Sequence, residues 1–138
     1  MILQATFDEL NSLIGQKTSV KGLTLSYHAP DTAAVTMVLH ILGILHPSVS
    51  ARVKIVYVDG SRITTEVETG TFSGLILDKA RKFLIEKAPA GLIEETGDKH
   101  ILILNLDVIP ELKTLFETFN VGGIAFTEQA IRIEANMK

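Results

Sequence analysis

The sequence predicts an α+β fold, a largely antiparallel sheet of hairpins alternating with helices, the helices packed mainly on one face. Three observations lead there. The β-rich runs ARVKIVYV and SRITTEVE flank Asp59-Gly60, a dipeptide that supplies the positive φ angles of a tight hairpin turn. A second pair of runs, Leu92 to Glu95 and His100 to Leu106, is joined by Thr96-Gly97-Asp98-Lys99. Helical segments alternate with these hairpins rather than with single strands, which disfavours a doubly wound parallel sheet.

Taken in order, Thr6-Phe7-Asp8-Glu9 places a hydroxyl at an N-cap and a carboxylate three residues on, so a first helix is expected to about Gln16. Val20 to Tyr27 reads as a strand, weakened by Gly22. Pro30 and Asp31 are then expected to open a long second helix to Leu45, with Val35, Val38, Leu39, Ile41, Leu42 and Leu45 nearly all round it and Thr32, Thr36 and His40 on one polar stripe. After the Asp59-Gly60 hairpin, Thr69-Gly70-Thr71-Phe72-Ser73-Gly74 crosses into a third helix from about Ser73 to Glu86, stopped by Ala88-Pro89-Ala90-Gly91. Ile101 to Leu104 suits a strand buried on both faces. A fourth helix is expected from Asp107 to Phe119, with Pro110 in its first turn and Gly122-Gly123 as its end. Ile124 to Phe126 with Gln129 to Glu134 makes a closing hairpin.

A length of 138 residues, 46% of them hydrophobic, fits one domain spanning 1–138 with a sizeable core. Net charge of −3 argues against a nucleic-acid surface, which pools Lys and Arg to displace counterions. The apolar run from Ala33 to Leu45 is too short to span a membrane as a helix. Met1 to Gln4 is too short for the apolar core of a targeting signal, and Asp8 and Glu9 follow it, so a cytoplasmic location is expected. The absence of cysteine removes disulfides, thiolate metal clusters and cysteine nucleophiles together.

Among the four histidines, His46 reads as a helix terminus, His100 as a strand-entry residue and His40 as a hydrogen-bonded interior group. His28 differs, because the strand-to-helix turn His28-Ala29-Pro30-Asp31-Thr32 gathers an imidazole, a carboxylate and helix-start N–H groups at one point. The competing reading of that turn is an ordinary capped helix start. Glu66 and Glu68 share one face of a strand, an arrangement of a solvated edge more than of an acid–base pair.

Two stretches carry a family resemblance. They are SYHAPDTAAVTMVLHILGI and VKIVYVDGSRITTEVETGTFSGLILDKARKF, the latter followed by EETGDKHILILNL. In order and spacing they resemble the FmdE-like domain of formylmethanofuran dehydrogenase and its stand-alone relatives, over about Ser26 to Leu106. The resemblance implies an α+β domain, often a homodimer, binding a metal or polar ligand near His28, with Thr69, Gly70 and Gly74 matching the family's glycine-containing stretch. The family cysteines are missing: Ala29 precedes Pro30, and Thr71 stands where the second thiol is expected. A hydroxyl does not replace a thiolate as a soft ligand, so a site of His28, Asp31 and water would hold a divalent metal only weakly.

The reading that follows is a degenerate member of that family, a ligand-binding or subunit-assembly domain. Its pocket for a small polar or anionic ligand would be formed by His28, Asp31, Thr69, Gly70, Thr71 and Ser73. One alternative is an enzyme with His28 as general base and backbone amides near Thr71 to Ser73 as an anion cradle. Another is an interaction module whose edge hairpin, Gln129 to Glu134, pairs with a partner strand.

Overall fold

The computed structural model describes residues 1–18, 22–38, 48–68 and 74–138. Their elements run β1 (Ile2–Thr6), α1 (Phe7–Lys17), β2 (Thr24–Ala29), β3 (Thr32–Val38), β4 (Ser48–Asp59), β5 (Arg62–Glu68), α2 (Gly74–Lys87), β6 (Ile93–Glu95) and β7 (Ile101–Asn105). A short 3-10 turn (Leu106–Val108), α3 (Pro110–Thr118), β8 (Phe119–Phe126) and β9 (Ala130–Met137) complete the order. The strands form two antiparallel sheets, β1-β9-β8 and β2-β3-β4-β5-β7-β6. The fold is α+β and built of hairpins, as the sequence predicts.

Turn chemistry explains the central hairpin. Asp59 pairs with Arg62, so the two-residue loop is Gly60-Ser61, one position beyond the expected Asp59-Gly60, and Gly60 takes the positive φ of 59° that the loop requires. A register shift between Ile55 and Tyr57 leaves Val56 and Tyr57 exposed on β4. At the start of the chain Thr6 caps α1 in a complete capping box: its Oγ1 accepts from Glu9 N at 3.1 Å, and its N–H donates to Glu9 Oε1 at 3.2 Å.

The expected second helix is not formed at its start. Ala29 pairs with Thr32 across the two-residue loop Pro30-Asp31, and residues 32–38 are strand β3. Ala33, Val35 and Met37 are buried while Ala34, Thr36 and Val38 are half-buried, a period of two that competes with the helical spacing and wins with partners on both sides. The remainder of that expected helix, 39–47 with His40 and His46, lies outside the described residues, as does the crossover 69–73. Proline cannot adopt the mirror-image turns that hairpins favour, and the extra residue His28 in a bulge between Tyr27 and Ala29 absorbs the mismatch.

Two smaller expectations also change. The fourth helix is split, because Ile109 precedes Pro110 and is held extended (φ −90°, ψ 115°), separating the 3-10 turn from α3. Gly122 and Gly123 do not end a helix. They lie within β8, at a register shift between Val121 and Gly123.

The six-stranded sheet turns its apolar face inward, with Ala33, Val35, Met37, Val49, Ile63 and Val67 buried there. The opposite face carries Ser26, Ser50, Arg52, Lys54 and Glu68, the pattern of an antiparallel sheet solvated on one side. Phe7 and Leu10 of α1 join Ala33, Tyr27 and Phe126 in one cluster, in which the Phe7 and Phe126 rings stack at 6.1 Å. Phe116 and Leu112 of α3 join Leu3, Ile133, Val121 and Ala135 of the smaller sheet in another. Both helices therefore cover apolar sheet faces. Each fully buried side chain of this kind contributes roughly 1.5–3 kcal/mol.

Candidate functional site

The turn singled out in the sequence is the junction of the two sheets. Phe126 N donates to Pro30 O at 2.8 Å and Ile55 N to Asp31 O at 2.8 Å, so both loop carbonyls serve structure. Asp31 Oδ1 accepts from Thr32 Oγ1 at 2.9 Å, and its Oδ2 lies 4.0 Å from Lys54 Nζ. His28 sits in the bulge. Since β3 follows this turn, Pro30 and Asp31 open a strand, and the helix-start N–H groups expected to meet His28 and Asp31 are not there. Thr69, Gly70, Thr71 and Ser73 fall outside the described residues, so the expected pocket is not assembled from the residues that are described.

The other candidates resolve into structural roles. His100 N donates to Asp98 Oδ1 at 2.8 Å in the turn before β7, and its ring nitrogen lies 3.4 Å from Val67 O. Glu66 lies between β4 and β7, opposite Lys54 and Ile101, while Glu68, opposite Arg52, lies past the last residue pair with β7 and is exposed. Glu111, at the start of α3, accepts from Lys17 at 2.7 Å, and this hydrogen bond holds its carboxyl below the usual range. Among the described residues no group of three or more His, Asp or Glu is placed to hold a metal ion. No described helix is long and apolar enough to cross a membrane.

What the structure brings forward is a set of strand edges, and they are treated very differently. At Leu25 the outer edge of β2 is closed by a side chain: Asn11 Nδ2 donates to Leu25 O at 3.0 Å while Leu25 N donates to Asn11 Oδ1 at 2.7 Å. One amide thus supplies the acceptor and the donor that a neighbouring strand would supply. The edge of β6 is three residues long, with Glu94 bound by Arg62 at 2.7 Å and Glu95 lying 3.5 Å from Arg81. At its last residue β8 bonds out to the other sheet, Phe126 N to Pro30 O.

β1 is the remaining edge, and among the described residues no strand pairs with its outer side. Its register with β9 sets Ile2 opposite Glu134, Leu3 opposite Ile133 and Gln4 opposite Arg132. Ala135 N donates to Met1 O at 2.9 Å, and Phe7 N to Gln129 O at 3.0 Å, so odd-numbered residues exchange the ladder bonds with β9. The N–H and C=O groups of Ile2 and Gln4 therefore point away from the sheet. Thr6 N is spent on the capping box. The strand reads ILQAT, without charge, proline or bulge, and Met1 and Ile2 are 59% and 53% exposed beside it. These are the features that strand edges ordinarily avoid.

The closing hairpin forms as expected, Ile124 opposite Ile133 and Phe126 opposite Ile131, but its expected role as an edge is corrected. β9, which contains residues 130–134 of that hairpin, is the central strand, paired on one side with β1 and on the other with β8, so it has no edge to offer. The edge belongs to β1, a strand that the sequence patterning did not single out. Its signal is present in the alternation of Leu3 and Ala5 with Ile2, Gln4 and Thr6, a run too short to stand out beside the capping box that follows it. Compared with protein-family models, with curated proteins and with solved structures, the chain matches none of them.

Proposed function

We propose that this chain is an assembly domain that joins its partner by strand addition along β1. The observation that supports this reading is a contrast among the edges: β2 is bound at Leu25 and β8 at Phe126, β6 is three residues long, and the outward N–H and C=O groups of Ile2 and Gln4 meet no partner among the described residues. Main-chain hydrogen bonds supply affinity in strand addition, and side chains on alternate positions supply selectivity. Subunit assembly is one of the two roles, with ligand binding, expected of a degenerate member of the FmdE-like domain family that the chain resembles.

The test is a selection of short displayed peptides on the wild-type chain, with Gln4→Pro as counter-target. Proline at this position removes an N–H that points away from β9 and leaves the ladder to β9 intact, so circular dichroism should match the wild type. Selected peptides should lose at least about tenfold in affinity on Gln4→Pro, equivalent to about 1.4 kcal/mol. Peptides that bind both chains equally would place the binding surface elsewhere and overturn the reading.

A further inference from the structure

We infer that the occupant of the β1 edge is the β1 edge of a second copy of this chain, paired antiparallel about a two-fold axis through Leu3. This rests on the assembly reading above and adds its partner and register. In this arrangement Ile2 of one copy lies opposite Gln4 of the other, and the outward main-chain groups of both residues exchange bonds. Leu3 faces Leu3 across the axis as a non-hydrogen-bonded pair, the closer of the two pair types. The two three-stranded sheets become one continuous sheet.

The side chains on both faces fit this register. On the inner face, Ile133 beside Leu3 continues across the axis into the second Leu3 and Ile133, extending the apolar row that packs on Phe116. Ala135 beside Met1 continues into Ala5 and Ile131 of the other copy, which covers a methionine that is 59% exposed in the single chain. On the outer face each row runs Glu134, Ile2, then Gln4 and Arg132 of the other copy, so an acid ends one side and a base the other.

Other registers lose this complementarity. Centring the axis on Ile2 puts Glu134 in the same row as Glu134, and centring it on Gln4 does the same with Arg132. The row ends are three strand spacings apart, about 14 Å, so the charges bias the register and the main-chain bonds and apolar rows hold the pair. Such a contact is isologous and closes at two copies.

Sedimentation of the full chain tests this. The wild type should rise with concentration from 15.0 kDa to twice that mass, and Gln4→Pro should stay at the lower value with unchanged circular dichroism. Because the chain has no cysteine, Ile2→Cys and Gln4→Cys each introduce a unique thiol. Under mild oxidation their equimolar mixture should form the mixed disulfide faster than either variant links to itself, since opposed residues in this pairing fall within disulfide reach. A chain that remains monomeric, yet binds peptides in a Gln4-dependent way, overturns the second-copy proposal and leaves strand addition standing. A dimer indifferent to Gln4→Pro overturns both. Self-linking of Ile2→Cys that outpaces the mixture overturns the register.

Discussion

Two strand edges flank α1, and the helix treats them in opposite ways. β2 runs beside it with the Leu25 N–H and C=O both bound by the Asn11 amide, whereas β1 runs directly into it with only the Thr6 N–H taken, by Glu9. A single side chain suffices to close an edge at one residue's pair of main-chain groups, as Asn11 does at Leu25. One residue with a donor and an acceptor on one planar group stands in for a strand at β2. No residue does so for Ile2 and Gln4 among those described.

The sharpest way to break the contrast is at Leu3. Its N–H faces β9 and its side chain packs in the cluster of Ile133 and Phe116, so Leu3→Pro should cost at least about 3 kcal/mol in urea unfolding through a lost bond, an orphaned carbonyl and lost packing. At a concentration low enough for the wild type to be monomeric, the neighbouring Gln4→Pro should leave that midpoint nearly unchanged. Such adjacent and opposite results would establish which side of β1 is inward.

Removing the seal on β2 comes next. Asn11→Ala leaves the partly buried Leu25 N–H and C=O without a partner and should cost about 2–3 kcal/mol in the same measurement. It should also create a second open edge, read as faster aggregation by light scattering. Thr6→Ala removes the N-cap oxygen and should cost about 1 kcal/mol. Because it also disturbs the junction of β1 with α1, exchange of the amides at the start of the helix should speed up.

The smallest effect concerns the pair that links α1 to α3. Lys17→Met removes the hydrogen bond to Glu111, and NMR titration should find the Glu111 carboxyl shifted up toward the ordinary range. The folded state lowers this group, so its contribution to stability is present above the unfolded carboxylate value and is lost as pH falls through the folded one. The pair is solvent-exposed, so the unfolding midpoint near neutral pH should barely move.

Where a structural decision is local, the residues declared it. Thr6 and Glu9 set the start of α1, Gly60 set a hairpin turn, and Pro110 opened α3, each through atoms within a few residues of one another. The segment after Pro30 reads wrongly as a helix because Val35 and Val38 satisfy a helical spacing while Ala33, Val35 and Met37 satisfy a strand spacing. Only the neighbours β2 and β4 decided between them. The expected site failed to assemble for the same reason: His28 and Asp31 were placed by analogy with a helix start, and that start is a hairpin loop.

The sequence by itself determined the α+β class, the capping box of α1 and the place of the central hairpin, because hydroxyl, carboxylate and glycine act on the backbone beside them. Tertiary structure alone decided which strands became edges. Period-two patterning tells which face of β1 or β9 is buried and is silent on the order of strands, since hydrogen bonds along a sheet are made by main-chain groups that every residue shares. β9 carries Arg132 and Glu134 and is central, and β1, a five-residue strand that runs directly into a helix, is the edge.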